Sequence, residues 1–246
     1  MTQDSKKDEL YSTEHSQVDA FRFDAVVADV FENMINRSVP GYPMMLDMIG
    51  VLAERFGQPG TNCYDLGCSL GAATLKMRHH VPETCHIVGV DTSEAMVERC
   101  RNNIARDRSQ PSVEILQQSV QDTSIENASL VVLNFTLQFI PDDERHGILN
   151  KISAGLAPGG VLILAEKVQF DDAAEQEQMT DLHHEFKRAQ GYSDLEIAQK
   201  RASLENVLVP NTVDQHIERL LAAGFESARL YIRCFNFVSI LAVKSA

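Results

Sequence analysis

The sequence predicts an α/β fold, a doubly wound and mostly parallel sheet with helices on both faces. Three observations carry that reading. Strand and helix signals alternate from residue 62 onward. The run Cys63-Tyr64-Asp65-Leu66-Gly67-Cys68-Ser69-Leu70-Gly71 passes from apolar residues through an acid to a glycine turn, then into helix-forming Ala72, Ala73 and Leu75. The strand Ile87-Val88-Gly89-Val90 closes on a second acid, Asp91. A strand ending in such a turn aims free backbone N–H groups and a helix N-terminus into a crevice at the carboxyl edge of the sheet. Nucleotide-like ligands sit there.

Two helical patterns precede the sheet. One holds Val26, Val27, Val30 and Phe31, and the other holds Met45, Leu46, Met48, Ile49, Leu52 and Phe56. The Pro-Gly of Arg37-Ser-Val-Pro-Gly-Tyr42 turns the chain between them. Strands are predicted at 62–66, 86–90, 112–117, 129–134 and 160–168, with helices at 70–79, 93–107 and 141–155 in three of the four gaps. Met96, Cys100 and Ile104 recur four apart on one helix face. Pro158-Gly159-Gly160 stops the last of these helices.

Residues 170–208 break the rhythm with two consecutive helical patterns. The first carries Met179, Leu182 and Phe186, and the second opens on the capping box Ser193-x-x-Glu196. We read the pair as a helical insertion after the fifth strand, lying over the crevice as a lid. A helix capped by Thr212-x-x-Gln215 follows, then strands near 225–234 and 236–243. The link between those strands is too short for a crossover, so the last strand is expected to be antiparallel.

Length permits one large domain, placed at 21–246, preceded by a loose arm over 1–20 that has few apolar anchors. The arm has no secretory core, no apolar run approaches a membrane span, and five scattered cysteines never form C-x-x-C. Those features point to reduced thiols in the cytoplasm, with no metal site and no membrane partner. A net charge of −13 argues against direct nucleic-acid binding, which depends on Lys and Arg displacing counterions. Small-molecule chemistry is the reading that remains.

The glycine turn lacks the G-x-G-x-x-G of dinucleotide folds, having Ser69 at the central position. Asp91 can accept both ribose hydroxyls of an adenosine, or it can serve as a helix N-cap beside Thr92 and Ser93. Asp65 to Gly71, Asp91, Leu156-Ala-Pro-Gly-Gly160 and the closing hairpin together resemble the class I S-adenosylmethionine-dependent methyltransferase fold. A closer resemblance runs nearly end to end. Arg37-Ser-Val-Pro-Gly-Tyr42, Tyr64 to Thr74, Val131-Val-Leu-Asn-Phe-Thr-Leu-Gln-Phe139, Gln199-Lys-Arg201 and Leu204-Glu-Asn-Val207 are similar to the carboxy-S-adenosyl-L-methionine synthase family. That resemblance implies S-adenosyl-L-methionine as a substrate and prephenate as carboxyl donor. It further implies a homodimer, phenylpyruvate as second product, and a carboxylated sulfonium used by another enzyme on tRNA wobble uridine. A methyltransferase for a small carboxylic acid and a non-catalytic S-adenosylmethionine-binding regulator are the alternatives.

The same resemblance implies the site residues. Gly67, Cys68 and Ser69 would follow the amino-acid end and sugar of the sulfonium substrate, with Asp91 and Thr92 at the ribose. A packing role is the plain alternative for the glycine turn, better for Gly71 than for Gly67. Cys68 has no histidine to activate it as a nucleophile. Tyr42 matches a ligand-contacting tyrosine, although alone it reads as a helix anchor. Ser119 and Val120 stand where an acid usually meets adenine, and Asp122 is the other candidate. Asn134 ends the fourth strand facing the reaction centre, and Phe135-Thr136-Leu137 after it disfavours base N-methylation.

Arg201 is singled out for catalysis. Its helical position falls on the stripe of Ile197, Leu204 and Leu208, where a guanidinium calls for a carboxylate. The resemblance assigns it to the carboxylate of the product. The alternatives are a snorkelling side chain or a pair with Glu205. Lys200 is expected in solvent. His183-His184-Glu185 reads as surface or lid chemistry, because adjacent helical residues diverge and no third ligand is evident.

Overall fold

The computed structural model describes residues 6–14 and 17–246. Two helices lead, α1 (Ala25–Ser38) and α2 (Tyr42–Phe56). Alternation then runs β1 (Asn62–Leu66), α3 (Ala72–His80), β2 (His86–Asp91), α4 (Glu94–Arg106), β3 (Ser112–Gln117) and β4 (Ala128–Asn134). After a 3-10 turn at Leu137–Phe139 come α5 (Asp142–Gly155) and β5 (Leu156–Lys167). The chain closes with α6 (Ala173–Ala189), α7 (Asp194–Leu204), α8 (Val213–Ala222), β6 (Ser227–Cys234) and β7 (Phe237–Val243).

The strands form one sheet in the order β3-β2-β1-β4-β5-β7-β6. The first five pair in parallel, whereas β7 is antiparallel to both β5 and β6. Strand order reverses between β1 and β4, which opens the crevice at their carboxyl ends. Alternate residues serve opposite faces. Tyr64, Leu66, Val88, Val131, Leu133 and Leu162 pack toward Ile148, Leu149 and Leu220 of α5 and α8. Cys63, Ile87, Leu130, Val132 and Ile163 pack toward Ile49, Ala53 and Met77 of α2 and α3. Period-2 alternation between two apolar faces is what a doubly covered sheet requires. Each buried Leu or Ile contributes about 1.5–3 kcal/mol.

Three features differ from the expectation. β5 starts at Leu156, so Pro158-Gly159-Gly160 lies within the strand; the register against β4 slips between Ala128 and Leu130 to absorb it. Val26 faces solvent, and α1 buries Val27, Ala28, Val30 and Met34 instead. Residues 6–14 are not loose. Asp8 is buried, and its carboxylate takes the Tyr192 hydroxyl at 2.5 Å while its amide donates to Asn33. Arg37 lies 3.9 Å over the Tyr192 ring and donates to the Asp8 and Gln190 carbonyls. A short polar segment is thus pinned by hydrogen bonds, which a scan for apolar anchors does not register. Residues 1–5 and 15–16 of the expected arm lie outside the described residues. No described helix is long and apolar enough to cross a membrane.

Candidate functional site

Over the carboxyl ends of β1, β2, β4 and β5 lies a cavity of about 1430 Å³, lined also by α1, α6 and α7. Its floor is the glycine turn. The amides of Gly67 and Cys68 both donate to the Val90 carbonyl, at 2.8 and 2.9 Å, which locks the turn to β2. Gly67 has φ +87°, and a Cβ there would stand 2.3 Å from the Thr136 hydroxyl. The glycine is therefore required by the chain's own packing and backbone, before any ligand is considered. Ser69 also has positive φ, at 49°. Its amide is held by Asp91 Oδ2 at 2.9 Å, while Asp91 Oδ1 takes the Ser93 amide at 2.9 Å. The N-cap of α4 is Ser93, so Asp91 is left to shape the turn and face the cavity. Burial pushes its carboxyl pKa up, against the N–H donors of Ser93, Ser69 and Thr92.

Tyr42, Cys68, Thr92, Val120 and Asn134 join Gly67, Ser69 and Asp91 on the cavity wall. Tyr42 is buried at the start of α2, with its ring centroid 6.3 Å from that of Phe135. The Cys68 thiol sits against Cys100; that contact and burial push its pKa up, so it stays protonated. Asn134 ends β4, and its side-chain oxygen is buried without a hydrogen-bond partner. An unpaired buried oxygen costs about 1–3 kcal/mol unless a donor meets it. The backbone flips directly after it, at Phe135 with φ +60°.

Ser119 does not reach the cavity. Its hydroxyl donates to Asp122 at 2.6 Å, tying both in an exposed turn, while Gln118, Val120 and Gln121 face inward. Ser119 and Asp122, expected near the adenine end, are not among the residues lining the cavity, whereas their neighbour Val120 is. β3 ends at Gln117, as expected, and the turn that follows ties the Ser119 hydroxyl to Asp122.

The lid helices also differ from expectation. α7 buries Ile197, Gln199 and Ser203, so Arg201 leaves the packed stripe and is exposed on the cavity side. It makes no ion pair or side-chain hydrogen bond among the described residues, Glu205 included. Of the two neighbours, Lys200 is the more enclosed. Its ammonium lies 4.1 Å over the Phe21 ring and 2.7 Å from the Met34 sulfur, and burial pushes its pKa down to about 7. The apolar neighbours that capture Lys200 come from α1 and the segment before it, far away in the chain.

Two wall residues differ from their sequence reading: Asp65 was read only as part of the glycine turn, and His183, read as surface or lid chemistry, is buried. Asp65 is buried, accepts the Thr74 hydroxyl at 2.6 Å and keeps its other oxygen unpartnered. Burial, with a smaller push from Asp91, raises its pKa to about 6. His183 bonds the Ser38 carbonyl at 2.9 Å and sets its ring against Phe237, with centroids 4.9 Å apart. Burial first, then Lys187, lowers its pKa to about 3, so the ring is neutral. Among the described residues no group of three His, Cys, Asp or Glu side chains could hold a metal ion. Lys167 and Lys187 also face the cavity.

Beneath the wall, Glu166 accepts the amides of Leu137 and Gln138 at 2.9 and 3.0 Å. Arg145 is fully buried and donates to the carbonyls of Ile140, Gln138 and Val209. This pair holds the segment after Asn134 in place.

A methyltransferase-domain family model matches residues 64–160. The fold recurs in human N-acetylserotonin methyltransferase, solved in complex with S-adenosylmethionine, at TM-score 0.59 and 17% identity; the match covers 90% of this chain and 56% of that one. It recurs in the cyclopropane synthase MmaA2 of Mycobacterium tuberculosis at TM-score 0.56 and 17% identity, covering 74% and 62%. Sheet order, glycine turn and the acid ending β2 are those of the class I S-adenosylmethionine-dependent methyltransferase fold. Within that class, full-length similarity narrows the assignment. Carboxy-S-adenosyl-L-methionine synthase of Hahella chejuensis is 56% identical over 244 residues, 97% of this chain and 98% of that one. The synthase of Marinobacter nauticus is 53% identical over 240 residues, covering 97% and 96%. The chain belongs to the carboxy-S-adenosyl-L-methionine synthase family, enzymes for which S-adenosyl-L-methionine is a substrate.

Proposed function

We propose that the enzyme takes its carboxyl group from prephenate, forming carboxy-S-adenosyl-L-methionine and phenylpyruvate for use in tRNA wobble-uridine modification. The observation that carries this reading is Arg201, a cation without a partner among the described residues, on the same cavity as Asp91 and the glycine turn. A carboxylate formed on the sulfonium substrate calls for such a group; a methyltransferase for a small carboxylic acid would use it equally, and the full-length similarity to the synthases favours the first reading. Cavity size supports two substrates. About 1430 Å³ exceeds the roughly 300–1,000 Å³ of a single-ligand pocket.

In this reading Gly67, Cys68 and Ser69 border the sugar and amino-acid end. Asp91 and Thr92 take the ribose, Val120 flanks the adenine, and Tyr42 and Asn134 close on the reacting methyl. Prephenate loses its ring carboxylate as carbon dioxide and its ring hydroxyl as hydroxide, becoming aromatic. Hydroxide removes one proton from the sulfonium methyl, leaving as water. The resulting carbanion attacks the carbon dioxide, and Arg201 holds the new carboxylate. The buried neutral wall of Tyr42, Phe135 and His183 keeps water from competing for that carbon dioxide. The reading extends to a cytoplasmic homodimer that leaves tRNA to a separate enzyme; the net charge of −13 supports that last point.

Mass spectrometry of the co-purifying nucleotide, followed by turnover with S-adenosylmethionine and prephenate, tests the reading. A nucleotide heavier by one carboxyl group, with phenylpyruvate formed in step, is the expected result. S-adenosylhomocysteine accumulating with a small-acid acceptor would instead identify a methyltransferase.

A further inference from the structure

Two lysines on the cavity wall have no counter-ion. Lys167 ends β5, next to Glu166, and its own amide is fixed by the Gln138 side chain at 2.9 Å. Lys187 lies in the last turn of α6 and is only 8% exposed. Neither ammonium makes an ion pair or hydrogen bond among the described residues, although both line the cavity. The charged neighbours make the pairing worse. Burial and then Lys167 lower the Lys187 pKa to about 8, with Asp8 opposing. Burial and then Arg201 lower that of Lys167. Lys187 in turn lowers the pKa of Lys200, His183 and His184. Asp8 is the one acid that raises the Lys187 pKa; its carboxylate accepts the Tyr192 hydroxyl and the Leu10 amide and makes no ion pair with Lys187. Two like charges that face one cavity and act on each other favour an anion between them.

We propose that Lys167 and Lys187 form a carboxylate subsite distinct from Arg201, holding the acid group that the carboxyl donor keeps. The inference rests on the reading of the enzyme as a carboxyl transferase with a two-carboxylate donor. Arg201 on α7 serves the group that moves, and the lysines on β5 and α6 serve the group that stays. A donor with two carboxylates then spans the cavity, and a monocarboxylate lacks one anchor. The subsite accordingly selects diacids, as a site built to pair a polar group rejects analogues without it.

Steady-state kinetics on the wild-type enzyme, K187M, K167M and K187R test this. K187M and K167M are expected to raise the KM for prephenate at least tenfold, with the Kd for S-adenosylmethionine within twofold of wild type. K187R is expected to restore most of the loss. Above about pH 8 the wild-type KM is expected to climb as Lys187 loses its proton, and in K187R this climb disappears. A KM for K187M within twofold of wild type overturns the subsite. An equal loss of S-adenosylmethionine affinity also overturns it, because that marks a structural role. If the wild-type enzyme does not consume prephenate, the functional reading fails separately. Calorimetric titration of malonate into the S-adenosylmethionine-bound protein then reads the subsite alone. Binding weakened tenfold in K187M keeps it, and identical binding in both proteins removes it.

Discussion

The Asp91 carboxylate accepts the Ser69 amide at 2.9 Å, joining the end of β2 to the turn that follows β1. Ser69 has φ +49°, a left-handed conformation costly for a residue with a Cβ. Asp91 also takes the Ser93 amide, so one half-buried side chain settles the glycine turn and the entry to α4 together.

Asp91→Ala is expected to lose both of those charge-assisted bonds and leave two amides short of partners. Hydrogen bonds to charged groups contribute about 1.5–3 kcal/mol each, so a destabilisation of about 2–4 kcal/mol should appear in urea unfolding. S-adenosylmethionine affinity should fall by roughly ten- to a hundredfold in titration calorimetry, with Asp91→Asn intermediate. Unchanged affinity in a folded Asp91→Ala protein would remove this carboxylate from the ribose.

Gly67→Ala meets two penalties. The backbone at φ +87° costs about 1–2 kcal/mol for an L-residue, and the new Cβ strikes Thr136. Combining it with Thr136→Ala should recover the steric part and leave the backbone part. Chemical denaturation of both variants separates the two, and full recovery in the double variant would contradict the backbone account.

Arg201→Met is expected to lower turnover by roughly ten- to a hundredfold, the scale of one charge-assisted pair. Because Arg201 is exposed and makes no ion pair or side-chain hydrogen bond among the described residues, thermal stability should stay within about 0.5 kcal/mol of wild type. Arg201→Lys should recover only part, since an ammonium cannot form the bidentate fork. Rate assays beside a melting curve decide the matter.

His183 and His216 set an acid limit on stability. Burial lowers the His183 pKa to about 3, with Lys187 adding to it, and lowers the His216 pKa to about 4, with Arg219 adding to it. Unfolded histidines titrate near the ordinary value of 6.5. Below that pH the unfolded chain binds more protons, so the stabilisation is complete above about pH 6.5 and is lost as pH falls toward 4. Each group can contribute up to about 1.4 kcal/mol per pH unit in that window. Urea midpoints for His183→Gln should show a shallower acid slope than wild type. Equal slopes would mean that His183 is charged in the folded protein.

Much of this molecule was legible along the chain. Strand runs, capping boxes and the turn from Asp65 to Gly71 are local patterns, and the sheet, its antiparallel last strand and the two lid helices follow from them. That Asp91 and Asn134 would face the crevice was legible for the same reason, since each ends a strand whose direction its neighbours dictate. The short link from Arg233 to Asn236 likewise compelled the hairpin.

Burial of charge was decided only when distant segments met. Lys200 and Arg201 are adjacent in sequence, yet Phe21 and Met34 enclose one while the cavity receives the other. The Ser119 hydroxyl turned to Asp122 in the loop after β3, off the cavity lining. Asp8 became an anchor through Tyr192, 184 residues away. Lys167 and Lys187 share a cavity wall only because β5 and α6 converge there. Hydrophobic period and turn chemistry are properties of neighbours in the chain, so a sequence displays them. Whether a cation finds an anion, a ring or a cavity depends on contacts across the whole fold, and these exist only once the layers have packed.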